Sequence, residues 1–252
     1  MAALNPVVQL SETDNGIAEI TMRDVEHHNE FSRELIDGLV HSFDAIGCNN
    51  GLRTVILTGY DTYFSAGGTR ELLMQMHRGE LRFNDVDFFR LALDCPVPVI
   101  SAMQGHALGG GFIFGLYSDM VVLSRESVYT ANFMNFGFTP GMGATLIAPL
   151  KLGHALATEM LFTARNYRGE ELKQRGVGIP VVPRNEVLGY ARRMAAVMAD
   201  KPRASLLALK QHMTRDVCER LPATVQHELR MHDMTFGEDV VADRIDELFG
   251  SA

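Results

Sequence analysis

Residues 98–119 read PVISAMQGHALGGGFIFGLYSD. A short apolar run (Val97, Val99, Ile100) leads through Gln104, Gly105 and His106 to three successive glycines, Gly109, Gly110 and Gly111. An apolar stretch from Phe112 to Tyr117 then has a helical character. Glycines at a helix start cost on the order of 1 kcal/mol each relative to alanine, so a compensating role is expected. One role is close packing, since glycine lets another backbone approach. The other is chemical: bare backbone N–H groups at a helix start favour an oxyanion. Spacing alone leaves both open. Neither G-x-G-x-x-G nor the P-loop lysine pattern is present, so this is not a nucleotide-binding fingerprint.

Upstream, Val7–Leu10 and Ile17–Met22 read as a hairpin closed by Asp14-Asn15-Gly16. Asn29 is expected to cap a helix from Glu30 to Ile46, with Phe31, Leu35, Leu39 and Phe43 on one face. Thr54–Thr58 reads as a buried strand, the loop after it contains Ala66-Gly67-Gly68, and a helix begins near Arg70. Downstream, Met120–Ser124 is a strand and Thr139-Pro140-Gly141 a turn. The rest is mostly helical, with helices expected at Leu146–Leu161, Glu170–Arg175, Glu186–Met198, Ala204–Glu219, Ala223–Thr235 and Asp239–Phe249, and a short strand at Pro180–Val182. Strands alternating with helices over the first 140 residues predict an α/β fold with parallel pairing, covered by a helical remainder.

Composition narrows the function. The 252 residues suffice for a sizeable core, and 46% hydrophobic with 21% charged residues is ordinary for a soluble globular chain. A net charge of −8 offers no basic footprint, so neither nucleic acid nor an anionic membrane is expected as a partner. MAALNPVVQLSETDNG has no basic-then-apolar signal pattern, and no apolar run approaches the roughly 18 residues of a membrane span. Cys48, Cys95 and Cys218 are odd in number and widely spaced, which predicts free thiols in a reducing, cytoplasmic setting. No His, Cys, Asp or Glu cluster has metal-ligand spacing, so no metal is expected.

Taken together, Phe64-Ser65-Ala66-Gly67-Gly68, the run Gln104–Gly111, and Phe138-Thr139-Pro140-Gly141-Met142-Gly143 resemble the crotonase (enoyl-CoA hydratase/isomerase) superfamily. The resemblance covers essentially the whole chain. It implies a crotonase fold: a spiral of ββα units (residues 1–195) with a C-terminal helical trimerisation region (196–252), forming a homotrimer or a dimer of trimers. It also implies an acyl thioester whose carbonyl sits between two backbone N–H groups, here those of Gly68 and Gly110. Losing one such donor costs roughly 3–4 kcal/mol of transition-state stabilisation. The hydratases of the superfamily carry two glutamates that handle water. Their positions here are Ile113 and Phe133. Without paired carboxylates, water addition lacks its general acid and base, so hydratase activity is not expected.

A narrower resemblance joins residues 104–119, ESVYTANFMNFGFTPGMGAT (126–145), YRGEELKQRGVGIPVV (167–182), ALKQHM (208–213) and ELRMHDMTF (228–236) to the decarboxylating crotonases of polyketide β-branching, or HMG-synthase, cassettes. It implies loss of CO₂ from a 3-methylglutaconyl group on an acyl carrier protein, following a dehydrating crotonase, to a 3-methylcrotonyl-type product. No cofactor is implied beyond the carrier's phosphopantetheine. His232 matches the histidine of the late motif, and the resemblance gives it the role of protonating the dienolate. A lysine and a tyrosine are also implied eight and four residues after Gly68, where this chain has Met76 and Leu72. His77 and Arg78 are the polar residues nearest, and the substrate carboxylate is expected on one of them. Ile113 and Phe133 are expected to line a dry substrate pocket. His106, His212 and the His27–His28 pair read as structural or solvated, and most of the fourteen methionines as core filler. Two alternatives stand beside the decarboxylase: a Δ-isomerase working through the same dienolate, and a catalytically silent carrier-binding homologue.

Overall fold

The computed structural model describes residues 7–250 apart from residues 14 and 86. Asp14 of the expected hairpin turn lies outside the described residues. Along the chain come β1 (Val8–Glu12), β2 (Ile17–Met22), α1 (Arg33–Cys48), β3 (Thr54–Thr58), β4 (Tyr63–Ser65), α2 (Arg70–His77) and α3 (Leu91–Asp94). Next are β5 (Val99–Met103), β6 (His106–Leu108), α4 (Gly110–Leu116), β7 (Met120–Ser124), β8 (Val128–Thr130), α5 (Ala144–Leu152) and α6 (His154–Thr163). The last third holds β9 (Tyr167–Arg168), α7 (Gly169–Gln174), β10 (Val181–Val182), α8 (Arg184–Ala199), α9 (Arg203–Thr235) and α10 (Asp239–Gly250).

The strands form two sheets, ordered β1-β2-β3-β5-β7-β10 and β4-β6-β8-β9. The β1/β2 hairpin is antiparallel, with Val8 opposite Met22. From β2 onward the large sheet is parallel, with Ile17 opposite Thr54, Val55 opposite Val99 and Ile100 opposite Met120. In the small sheet β4/β6 and β6/β8 are parallel and β8/β9 antiparallel. The pairs β3/β4, β5/β6 and β7/β8 each contribute one strand to each sheet, so the chain advances as a spiral. Every residue of β3 and β5 is buried, as expected of central parallel strands covered on both faces. Their α/β pattern is the one read from the sequence.

The main core lies against one face of the large sheet and includes α1 and the fully buried α4. On its other face Ile56, Ile100 and Val122 pack against Val187, Ala191 and Ala195 of α8. The alanines bring α8 close to the sheet, and this helix runs across the expected 195/196 boundary.

Several local expectations change. Asn29 does not cap α1; Ser32 does, accepting the Leu35 N–H at 3.1 Å. The expected helix over 146–161 is split at Gly153, whose φ of +84° a helix cannot include. The two helices expected over 204–235 are one, α9, with Pro222 inside it. Proline removes a single backbone donor there, and burial of Leu221 and Leu229 on either side holds the helix together. Finally, α10 folds back against α2, where the Arg70 Nε donates to Asp246 at 3.1 Å.

Candidate active site

The two glycine loops meet backbone to backbone. Gly67 has φ +90°, and a β-carbon there would stand 2.7 Å from the Leu108 carbonyl oxygen and 3.3 Å from the Gly110 nitrogen. A β-carbon on Gly111 would stand 2.5 Å from the Ser65 carbonyl oxygen. Close packing is therefore one reason for the glycines. The second reason is visible in their donors. Gly67 N–H is taken by Ser65 Oγ at 3.1 Å and Gly109 N–H by the Thr130 carbonyl at 2.9 Å. The Gly68 and Gly110 N–H groups have no protein acceptor among the described residues, and both glycines line the same cleft. Unpaired backbone donors at a ligand-sized cleft are what a thioester oxyanion requires.

Residues 24–31 buttress this arrangement. The buried Asn29, at φ +55°, donates through Nδ2 to the Met22 and Phe64 carbonyls at 3.1 and 3.0 Å and accepts the Asp24 N–H at 2.7 Å. Ser65 Oγ donates to the Asn29 carbonyl at 2.7 Å, and Phe31 N–H donates to the Gly67 carbonyl at 2.7 Å. In sequence Asn29 resembles a helix cap because the same short amide that caps helices also locks turns. Here it locks the first loop.

The cleft spans about 650 Å³ of space, part of it open to solvent. Its walls are phenylalanine-rich, with Phe31, Phe83, Phe88, Phe133, Phe136, Phe138 and Phe249, and they include Leu72, Leu73, Met76 and Met142. Among the described residues the lining holds no Asp, Glu, His, Lys or Arg, and its one polar side chain is Asn132. Phe133 is 4% exposed and lines the cleft. Ile113, fully buried one turn into α4, does not line it and packs in the core behind. A cleft of this kind can hold a negative oxygen on two donors while excluding water, but it has no group to activate water.

His232 stands behind the aromatic wall. It is 7% exposed, with its ring centroid 4.9 Å from that of Phe83 and 6.4 Å from that of Phe138. Its Nε2–H donates to the Thr139 carbonyl at 2.9 Å, which leaves Nδ1 as the unprotonated nitrogen of the neutral ring. Burial pushes the ring below the usual imidazole range, and the hydrogen bonds to the Thr139 and Pro140 carbonyls oppose this. A β-carbon on Gly141 would lie 2.6 Å from His232 Cε1, so the Thr-Pro-Gly turn gives the ring its space. A second hollow, lined by His232, Asp233 and Arg82, shares Met76 and Phe83 with the main cleft.

One turn before His232, Glu228 is 1% exposed. Its carboxylate accepts the Gly143 N–H at 2.7 Å, the Thr145 N–H at 2.9 Å and the Thr145 hydroxyl at 2.6 Å, capping α5. Desolvation raises its pKa against those three hydrogen bonds. Tyr117 OH donates to the Met142 carbonyl at 2.7 Å, and Met142 packs over Gly110, with Sδ 2.9 Å from where a β-carbon would be. Glu228 and Tyr117 thus fix the turn that closes one side of the cleft. Sequence reading missed both. The only local sign was a glutamate four residues before the histidine, on the same helix face.

The remaining expected site residues lie apart from the cleft. His77 Nδ1–H donates to the Phe236 carbonyl at 2.8 Å. Arg78 is exposed and turned to Glu80 at 2.7 Å and Glu71 at 3.4 Å, and its guanidinium lowers the Glu80 pKa. Leu72 and Met76, by contrast, line the cleft. His106 Nδ1 accepts the Val128 N–H at 2.9 Å, a structural role, and burial with Arg184 and Arg168 lowers its pKa. His27 pairs with Asp24 at 3.0 Å, and His28 stacks on Tyr63 at 4.2 Å. Among the described residues no group of three or more His, Cys, Asp or Glu is placed to hold a metal ion, and no helix is long and apolar enough to cross a membrane.

Comparison with known proteins fits this geometry. The enoyl-CoA hydratase/isomerase family profile matches residues 12–246. The chain is 51% identical over 245 residues to the bacillaene synthase decarboxylase PksI of Bacillus subtilis (strain 168), covering 97% of this chain and 98% of that protein. It superimposes with a TM-score of 0.95 on a solved structure from a dehydratase/decarboxylase enzyme couple involved in polyketide β-branching, at 51% identity and covering 97% and 99% of the two chains. The ECH2 decarboxylase domain of CurF from Lyngbya majuscula gives a TM-score of 0.93 at 47% identity, covering 96% and 99%. A spiral carrying two unpaired glycine donors, matched along nearly its whole length, thus belongs to the enoyl-CoA hydratase/isomerase family, the crotonases.

Proposed function

We propose that this chain is a decarboxylase of polyketide β-branch formation, acting on a 3-methylglutaconyl-type thioester carried by an acyl carrier protein. One observation carries the reading: two unpaired backbone donors, on Gly68 and Gly110, face an apolar cleft with no acid or base on its walls. The strong likeness to PksI and to the CurF decarboxylase domain supports it. The thioester carbonyl accepts from the two N–H groups. The bond between the γ-carbon and the carboxylate breaks, CO₂ leaves, and the electron pair enters a dienolate whose oxygen those donors stabilise. Transfer of the carboxylate out of water favours this step, because the charge becomes more diffuse as CO₂ departs. A proton that originates in solvent then adds to the dienolate carbon; His232 lies in the adjoining hollow with its one N–H on the Thr139 carbonyl, so it delivers that proton only once its ring leaves this partner and reaches the cleft. The product is a 3-methylcrotonyl-type thioester. Phe133, in place of a water-handling carboxylate, keeps the product from being hydrated, and Ile113 backs that wall.

The same reading gives the protein's surroundings. The acyl group arrives on a carrier's phosphopantetheine after a dehydrating crotonase has acted, no other cofactor takes part, and the enzyme is cytoplasmic and a homotrimer or dimer of trimers. Leu209 and Met213 of α9, 60% and 69% exposed, are apolar surface that suits subunit contact. The test is incubation with 3-methylglutaconyl-acyl carrier protein, followed by intact mass spectrometry. Loss of CO₂ above background is expected, and no loss overturns the proposal. A β,γ-enoyl thioester lacking the carboxylate should remain unchanged; turnover would mark an isomerase instead.

A further inference from the structure

Asn132 stands out within the cleft. It opens the 3-10 turn Asn132–Phe136 and is the only polar side chain among the described residues that line the cavity. Its side chain makes no hydrogen bond to another described residue. Its Oδ1 lies 2.6 Å from where a β-carbon on Gly109 would stand. The absence of a side chain at Gly109, held at φ +52°, is what makes room for the amide. That packing seats the amide beside the turn that carries the Gly110 N–H, with its donor capacity not taken up by any described side chain or carbonyl.

We propose that Asn132 is the substrate-positioning residue that binds the free carboxylate of the acyl group. The inference rests on the decarboxylase reading above. An acyl group of that class brings two polar ends into the cleft, a thioester carbonyl and a carboxylate. The walls offer two polar features in return. The paired backbone donors take the carbonyl, and Asn132 remains for the carboxylate. A carboxylate buried without any donor would be strongly disfavoured. His77 donates elsewhere and Arg78 is held by two glutamates, so neither competes for this role. A single neutral donor also suits the chemistry. It fixes the direction of the breaking bond without supplying the counter-charge that would hold the carboxylate in its ground state.

The test uses the full-length enzyme, Asn132→Ala and the isosteric Asn132→Asp, with two carrier-bound ligands: the 3-methylglutaconyl substrate and the 3-methylcrotonyl product, which lacks the carboxylate. Asn132→Ala should lower kcat/KM for the substrate by roughly 10- to 100-fold, the range of one hydrogen bond to a charged group. Its inhibition constant for the product should stay within about twofold of wild type. Asn132→Asp opposes one carboxylate to another and should fall below Asn132→Ala near neutral pH, then gain on it as acid neutralises the introduced group. An equal effect of Asn132→Ala on both ligands, no effect on either, or a pH-independent ratio between the variants overturns the proposal. A wild type that binds both ligands yet releases no CO₂ refutes the decarboxylase reading. The ratio of the two dissociation constants in wild type and Asn132→Ala then still decides the role of Asn132.

Discussion

Gly67 and Gly110 illustrate how one residue type serves two ends. Gly67 is needed for its shape, because its positive φ and the Leu108 carbonyl 2.7 Å from a would-be β-carbon exclude any side chain. Gly110 presents an N–H that no described protein group accepts, and its lack of a side chain keeps Met142 Sδ, 2.9 Å from a would-be β-carbon, from being displaced. Gly67→Ala should therefore separate the loops and lower decarboxylation by about 100-fold or more, as loss of an oxyanion donor does, while circular dichroism shows the fold retained. An unchanged rate would contradict the two-loop geometry. His232 gives a second residue-level prediction. Its pKa is lowered in the folded state, so the unfolded chain takes up the proton first as pH falls below about 6.5. The stability contributed by the neutral ring is thus present above that value and lost on acidification. His232→Gln, which keeps a donor for the Thr139 carbonyl, should lose less melting temperature than wild type between pH 7.5 and 5.5. An equal or larger loss in the variant would refute this. Part of this site was legible beforehand, since the paired glycine runs and the missing glutamates are local patterns, whereas the late histidine stands in the hollow beside the cleft and not on its walls. The place of Asn132 in the cleft was not legible, because TANFMN reads as an ordinary turn until the fold sets its first asparagine in a phenylalanine-rich lining.

Among the elements, α5 and α9 carry the machinery indirectly. Glu228 joins them, replacing missing intrahelical partners at the start of α5 with a buried carboxylate. Removing it leaves the Gly143 and Thr145 N–H groups unpaired. Glu228→Ala should destabilise the protein by roughly 3 kcal/mol, or about 6–12 °C in Tm, with Glu228→Gln between it and wild type. Thermal unfolding of the three proteins is the measurement, and coincident melts would contradict the capping role. Elements were readable where one periodicity ruled, as in β3 and β7, whose expected and observed bounds agree. They were misread where one residue decided against the pattern: Gly153 divides a helix that apolar spacing runs together, and Pro222 fails to divide one. At Gly153 a local backbone preference outweighed the apolar pattern, and at Pro222 the packing of Leu221 and Leu229 outweighed a local one.

At the scale of the molecule, the spiral brings β4 and β6 side by side, so loops some forty residues apart face one cleft. The C-terminal helix completes it: α10 buries Val241 and Ile245, and Phe249 at its end lines the cleft. Truncation after Gly237 should open this wall to water and lower kcat by more than about tenfold, through lost exclusion of solvent rather than loss of any donor. Unaltered turnover of the truncated protein would show that α10 is dispensable. The central claim is that this family member uses its oxyanion donors to expel CO₂ and not to add water. Turnover of the 3-methylglutaconyl carrier protein in D₂O, followed by intact mass, tests it most directly. Loss of CO₂ with one solvent-derived deuterium on carbon and no added water is the expected result. A product that retains the carboxylate, or one that gains the mass of water, would contradict it.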